Sequence, residues 1–189
     1  MSENSTGILS QLLGGIVKVN PPGLDILTIE QLADYIKEKG KLVYGVNAHI
    51  SSQLQDTIFL LFPEKDSLKI IEKFLLDMHF SKAESIGAES IRFGISIIKE
   101  IGGIALFSYI NTLSFLIKKL ILTYVPNFLS GTSDELIRMI LREYEQWGNI
   151  CVVHTSFKEL GMNIDGDYYL ILNKASTDRI LDYMQNYAA

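Results

Sequence analysis

The stretch SIIKEIGGIALFSYINTLSFLIKKLILTYVP, Ser96 to Pro126, decides the fold. A charged pair, Lys99-Glu100, leads into a long and almost wholly apolar helix. A β-branched run follows and stops at a proline. Ser96 and Glu100 are four apart and Gly103 follows by three, so at 3.6 residues per turn all three share one helical face. That strip is polar or small while the rest of the helix is apolar. Such a helix buries most of its girth and presents one short strip to a partner.

The run from Ile101 to Leu122 approaches the length of about 20 residues that a membrane span needs. Ser108, Tyr109, Asn111, Thr112 and Ser114 interrupt it, and Lys118-Lys119 fall before its end. A buried core helix is expected, without membrane insertion.

Outward from that helix, Ile8 to Leu13 reads as the end of another helix, stopped by Gly14-Gly15. Ile16 to Val19 reads as a strand closed by Pro21-Pro22-Gly23. Thr28 is placed to cap a helix to about Lys37. Leu42 to Ser51 and Thr57 to Phe62 read as an antiparallel pair. A helix capped at Asp66 or Ser67 runs on to Leu76, and Ser81 to Glu89 is a polar joint. The organising helix begins near Ala88, and Leu120 to Tyr124 is taken as a strand ending at Pro126. A helix from Ser133 to about Tyr144, strands at Asn149–Thr155 and Tyr168–Leu172, and a last helix capped by Ser176 complete the chain.

The pattern occurs twice. Strands end at Pro22 and Pro126, 104 residues apart. TIFLLFPEKDSLKIIEKF, from Thr57, matches DYYLILNKASTDRILDYM, from Asp167, at a shift of 110. Each half reads helix, strand, short helix, strand, strand, helix. The expectation is an α/β (α+β) single domain over 1–189 with halves 8–78 and 88–187. Its mostly antiparallel six-stranded sheet would carry long helices about a pseudo-twofold axis. The half-one counterpart of the long helix is expected to be cut to its C-terminal end, because the position matching Gly103 would precede Met1.

The 189 residues carry a net charge of −5, which argues against a nucleic-acid surface. The lone Cys151 excludes an internal disulfide, suits a reducing cytosol and is read as a small buried apolar residue. Met1 to Gly7 lacks the basic start and apolar core of a secretory leader, so a cytoplasmic location is expected. His49, His79 and His154 are far apart in sequence. His49 and His154 sit on matching strands and could approach in the sheet, but two histidines are too few for a metal site. Trp147, Tyr144 and Tyr124 are read as packing residues, Asn111 as a satisfied core amide, and Gly102 as a point of close approach. No nucleophile elbow or phosphate-binding glycine loop is present.

The order Ser96, Glu100, Gly103 and, after 22 intervening residues, Pro126 resembles the signature of the CheC/CheX/FliY family of chemotaxis phosphatases. In that signature Asp or Ser precedes Glu, Asn and Pro at the same intervals. SIIKEIGGI is similar to the family's L-x-E-I-G-N-I. VPNFL, CVVHTSF and IDGDYYLIL extend the resemblance over nearly the whole chain.

The resemblance implies a CheC-like protein whose partners are phosphorylated CheY or the receptor deamidase CheD, with a homodimer possible. In the family, the Asn amide orients the water that attacks the regulator's aspartyl phosphate, and the Glu pairs with a regulator lysine. The protein needs no cofactor of its own; Mg belongs to the regulator's site. Glu100 is therefore the implied catalytic remnant, and Ser96, Glu100 and Gly103 are the implied docking residues. Gly103 has no amide to hold a water, and Asn4, in an expected disordered leader, is out of register to replace one. Three functions stay open: a docking protein with weak or no phosphatase activity, an active phosphatase using Glu100, and a non-catalytic flagellar-switch or scaffold component.

Overall fold

The computed structural model describes residues 3–50, 56–77, 88–116, 118, 120–144 and 149–178. In chain order the elements are α1 (Glu3–Leu13), β1 (Val17–Val19), β2 (Gly23–Thr28), α2 (Ile29–Lys37), β3 (Leu42–His49) and β4 (Thr57–Pro63). They continue with α3 (Glu64–Asp77), α4 (Ala88–Leu116), β5 (Asn127–Thr132), α5 (Ser133–Tyr144), β6 (Asn149–Glu159) and β7 (Ile164–Leu172).

The seven strands form one sheet, ordered β1-β6-β7-β4-β3-β5, with β2 also on β6. Every pairing is antiparallel. β1 and β2 pair successive stretches of β6, Phe157–Glu159 and Asn149–His154. The sheet is therefore six positions wide although it has seven strands, one more than the sequence suggested.

Helices cover both faces. α1, α3 and α4 share a core with Val46, Leu60, Phe62, Tyr168 and Leu170. α2 and α5 cover the opposite face, over Val43, Phe59, Leu61, Tyr169 and Ile171. Because both faces are covered, the central strands β4 and β7 are nearly continuously apolar and buried rather than alternating.

Local sequence explains the helix starts. Thr28 and Gln31 form a reciprocal capping box: the Gln31 amide N–H donates to Thr28 Oγ1 at 3.4 Å, and the Thr28 N–H donates to Gln31 Oε1 at 2.8 Å. Thr132 and Glu135 repeat the arrangement before α5, at 2.8 and 3.2 Å. The backbone and side-chain hydrogen bonds from Thr132 hold the Glu135 carboxyl below its ordinary range.

Several boundaries differ from the sequence reading. Leu120–Tyr124 is not a strand: it lies beyond the end of β3 and makes one bridge, Thr123 to Ile50. The strand is β5, which starts after Pro126, where the backbone N–H groups can reach β3. In the same way a second strand, β2, starts after Pro21-Pro22. α1 begins at Glu3, so Asn4 lies in a helix and not in a disordered leader. α3 begins at Glu64, with Asp66 and Ser67 buried in its first turn. The helical turn at 174–178 is capped by Asn173, whose Oδ1 accepts from the Ser176 N–H at 2.8 Å; Ser176 instead donates its hydroxyl to Asp56 at 2.5 Å. The joint at 81–87, His79, Trp147 and the chain after 178 lie outside the described residues.

Candidate functional site on α4

α4 is two-sided. Ile98, Ile101, Ala105, Leu106, Tyr109 and Ile110 are buried toward the sheet. The window from Ile91 to Phe115 is long and apolar enough to cross a membrane, but 61% of it is buried against the rest of the molecule. That burial is what a core helix requires.

The opposite edge carries Ser96, Lys99 and Glu100, all exposed. The Ser96 hydroxyl donates to the Arg92 carbonyl one turn earlier, at 3.0 Å. Gly103 completes the strip but is buried. A Cβ at Gly103 would meet only Pro126 Cγ, at 3.9 Å, an ordinary contact. The 22 residues that separate Gly103 from Pro126 in sequence thus close in space, and the proline ring floors the glycine position.

Gly102 is different. A Cβ there would come within 2.9 and 3.0 Å of the Val46 methyls, so this glycine lets α4 lie close on β3. The two adjacent glycines differ: a Cβ at Gly102 would press on Val46, whereas a Cβ at Gly103 would be accommodated.

Asn111 is exposed, not a core amide. It lies eleven residues beyond Glu100, about three helical turns, and so returns to the same face.

The structure does not bring His49 and His154 together, because β4 and β7 stand between their strands. Each joins its own polar network. His49 Nδ1 lies 3.0 Å from Thr57 Oγ1 and 3.3 Å from Glu143 Oε1, and the Tyr144 hydroxyl donates to the same Thr57 oxygen. His154 Nε2 lies 2.8 Å from Asp167 Oδ1, which also accepts from Lys39 Nζ at 2.9 Å, and the His154 ring stacks on Tyr169. No sequence motif announced these networks. The one available signal was the alignment of Thr57 with Asp167. Among the described residues no group of three or more His, Cys, Asp or Glu is placed to hold a metal. Cys151 is buried, and burial raises its thiol pKa.

No protein-family model matches the chain, and no curated protein matches it by sequence. Solved structures match it closely in fold. Thermotoga maritima FliY superposes with a TM-score of 0.65 at 13% identity, covering 97% of this chain and 89% of that one. The FliM middle domain of Vibrio alginolyticus gives 0.57 at 13% identity, with 96% of each chain covered. The CheX–CheY–BeF3–Mg complex of Borrelia burgdorferi gives 0.55 at 14% identity, covering 90% of this chain and 94% of that chain. The chain therefore has the fold shared by FliY, CheX and the FliM middle domain.

Proposed function

We propose that this chain is a CheC-like chemotaxis protein. It docks on a phosphorylated response regulator of the CheY type through the Ser96–Glu100 edge of α4, and it has little or no phosphatase activity. One observation carries the reading. The exposed Glu100 stands one turn from a buried Gly103, where a Cβ would meet only Pro126 Cγ at ordinary contact distance and where no side chain is present. A carboxylate on an exposed edge can pair with a regulator lysine. An attacking water needs a positioned donor and acceptor, which glycine lacks. That a CheX of this fold forms a complex with CheY and BeF3–Mg supports a regulator as the partner.

A second reading has its own support. The FliM middle domain spans the same fold with no part of either chain left over beyond a few percent. A scaffold role in a flagellar switch would need no catalytic amide.

The test is the decay of phosphorylated CheY from the same organism, with and without the protein, together with a pull-down against CheY and CheD. Binding to phosphorylated CheY with unchanged decay is expected. Gly103→Asn should then accelerate decay, and Glu100→Ala should weaken capture. Faster decay with the natural chain would make it a working phosphatase using Glu100. Retention of CheD alone would move the partner, and retention of neither, with recovery in a motor complex, would favour the scaffold.

A further inference from the structure

Beyond Gly103 the exposed edge of α4 turns apolar. Ile104, Phe107 and Phe115 lie along it, with Asn111 between the two phenylalanines. The chain then folds back beside the helix. The Ile121 N–H donates to Ser114 Oγ at 2.8 Å, and Pro126 lies against Gly103. Residues 120–126 therefore run antiparallel to the last three turns of α4 as a strap. The other flank of the strap is tied to the sheet, where the Tyr124 N–H donates to the His49 carbonyl at 2.9 Å. Ile121 turns into the core, while Leu120, Leu122, Tyr124 and Val125 turn outward. The end of α4 and the strap thus make an apolar tip on a fixed backbone, with exposed Lys118 between Phe115 and Leu120.

Two properties set this tip apart from ordinary surface. Its side chains stand out from the molecule: Phe115, Leu120 and Val125 are 83%, 81% and 77% exposed. Large apolar groups gathered in this way mark an interaction surface. Its charge also departs from that of the rest of the chain. From Ile101 to Ser133 there is no Asp or Glu, and the only charged residues are Lys118 and Lys119. The whole chain has 17 basic and 22 acidic residues, so the remainder has 15 and 22, a net charge of −7. On the sheet side Glu143 is turned to His49, 3.3 Å away.

We propose that this tip docks on the surface of an anionic phospholipid bilayer. In a protein partner each protruding side chain would need its own fitted pocket, whereas the fluid edge of the hydrocarbon accepts phenylalanine, leucine and valine alike. Tyr124 carries an apolar ring and a polar hydroxyl, which suits the level of the headgroups. A lysine lays its stem along apolar surface and sends its ammonium toward phosphate, and an acid-free stretch adds no repulsion there. The net charge of −7 on the remainder holds the rest of the molecule off the same surface, so contact is confined to the tip. Two lysines among apolar residues make a poor nucleic-acid surface, which needs several phosphate contacts. α4 keeps its buried face in the core, so the docking is peripheral and involves no span. Phe115 lies fifteen residues past Glu100, about 22 Å along the helix, so the regulator-docking edge stays clear of the lipid.

Flotation of the full chain with vesicles tests this, using phosphatidylcholine and phosphatidylglycerol in equal parts beside phosphatidylcholine alone. The chain should float with the mixed vesicles and partition onto the neutral ones at least about tenfold less. Phe115→Glu and Leu120→Glu should each lower partition onto the mixed vesicles by at least about tenfold. Both sites are exposed, so circular dichroism and melting temperature should stay unchanged in each variant. Equal flotation with the two kinds of vesicle overturns the proposal. So does flotation that both variants retain, because the contact would lie elsewhere. A natural chain that floats with neither also overturns it, and if the variants then lose capture of phosphorylated CheY the tip belongs to the regulator. A natural chain that floats as expected and captures no CheY upholds the bilayer contact and removes only the regulator reading.

Discussion

Phe59 pairs with Tyr169 in the middle of the sheet, and the two residues are 110 apart in the chain. Around them Thr57 faces Ile171 and Leu61 faces Asp167, so a shift of 110 exchanges the two strands and leaves their pairing unchanged. The same rule reaches outward. β3 and β4 pair His49 with Thr57, and the matching pair in β6 and β7 is Ser156 with Asp167, at shifts of 107 and 110. β2 pairs Gly23 with His154, and β5 pairs Asn127 with Asn47. This is the register that two copies of one unit would adopt if each lent its first long strand to the other.

The exchange of outer strands predicts that neither 8–78 nor 88–187 folds alone. Fragment 8–78 lacks the β6 that β2 needs, and 88–187 lacks the β3 that β5 needs. Each fragment should show weak, non-cooperative far-ultraviolet dichroism. Mixing them should restore one sharp melting transition, and a sharp transition in either fragment by itself would refute the expectation.

The glycine pair predicts opposite signs for two neighbouring substitutions. Gly103→Ala fits against Pro126 and gains helix propensity of about 1 kcal/mol. Gly102→Ala drives a methyl into Val46 at 2.9 Å, and overpacking of this kind costs about 1–3 kcal/mol, offsetting or exceeding the same gain. Urea denaturation of both variants should give a higher midpoint for the first and an unchanged or lower one for the second.

Four buried tyrosines predict alkaline unfolding. Burial raises the phenol pKa of Tyr109, Tyr144, Tyr168 and Tyr169. Tyr109 and Tyr168 stack with their ring centroids 4.5 Å apart, and their hydroxyls reach Thr155 Oγ1 at 3.0 Å and the Ala105 carbonyl at 3.3 Å. In the unfolded chain a tyrosine ionises near pH 10, while the folded state holds its proton to higher pH. The stabilisation is therefore complete below about pH 10 and is lost above it, by up to about 1.4 kcal/mol per pH unit for each tyrosine. Melting temperature should fall steeply past that pH. Tyr168→Phe should flatten the fall, and an unchanged slope would count against the assignment.

Glu159 predicts a turn that depends on one carboxylate. It is buried at the end of β6, and its two oxygens accept the Gly161 and Met162 N–H groups, each at 2.7 Å. Glu159→Ala orphans both donors and should cost about 2 kcal/mol or more. Glu159→Gln keeps one acceptor oxygen and should lose less. Equal losses by chemical denaturation would mean the carboxylate is not what holds the turn.

The legible parts of the fold were those written in local sequence. Helical spacing placed Ser96, Glu100 and Gly103 on one face, and Thr28 with Gln31 marked the start of α2. The outer strands β2 and β5 were not legible. Asn127-Phe-Leu-Ser-Gly-Thr132 has too few apolar residues and no strict alternation, and a proline precedes each strand. Asn111 was misjudged from its apolar neighbours, although its distance from Glu100 already put it on the exposed edge. The Thr57 and Asp167 networks depend on strand order, which no local pattern encodes.

The pairing of β2 with β6 also sets the order in which the molecule can be completed as it is made. Gly23 cannot meet His154 until 131 further residues have been synthesised. At about 5–20 residues per second, β2 waits on the order of ten seconds with its backbone unpaired from Gly23 to Thr28 and Leu27 not yet packed on its core. The nascent chain therefore carries an open strand near its beginning for most of its synthesis. Slowing translation should lengthen that exposure and raise demand for a chaperone that holds extended apolar segments.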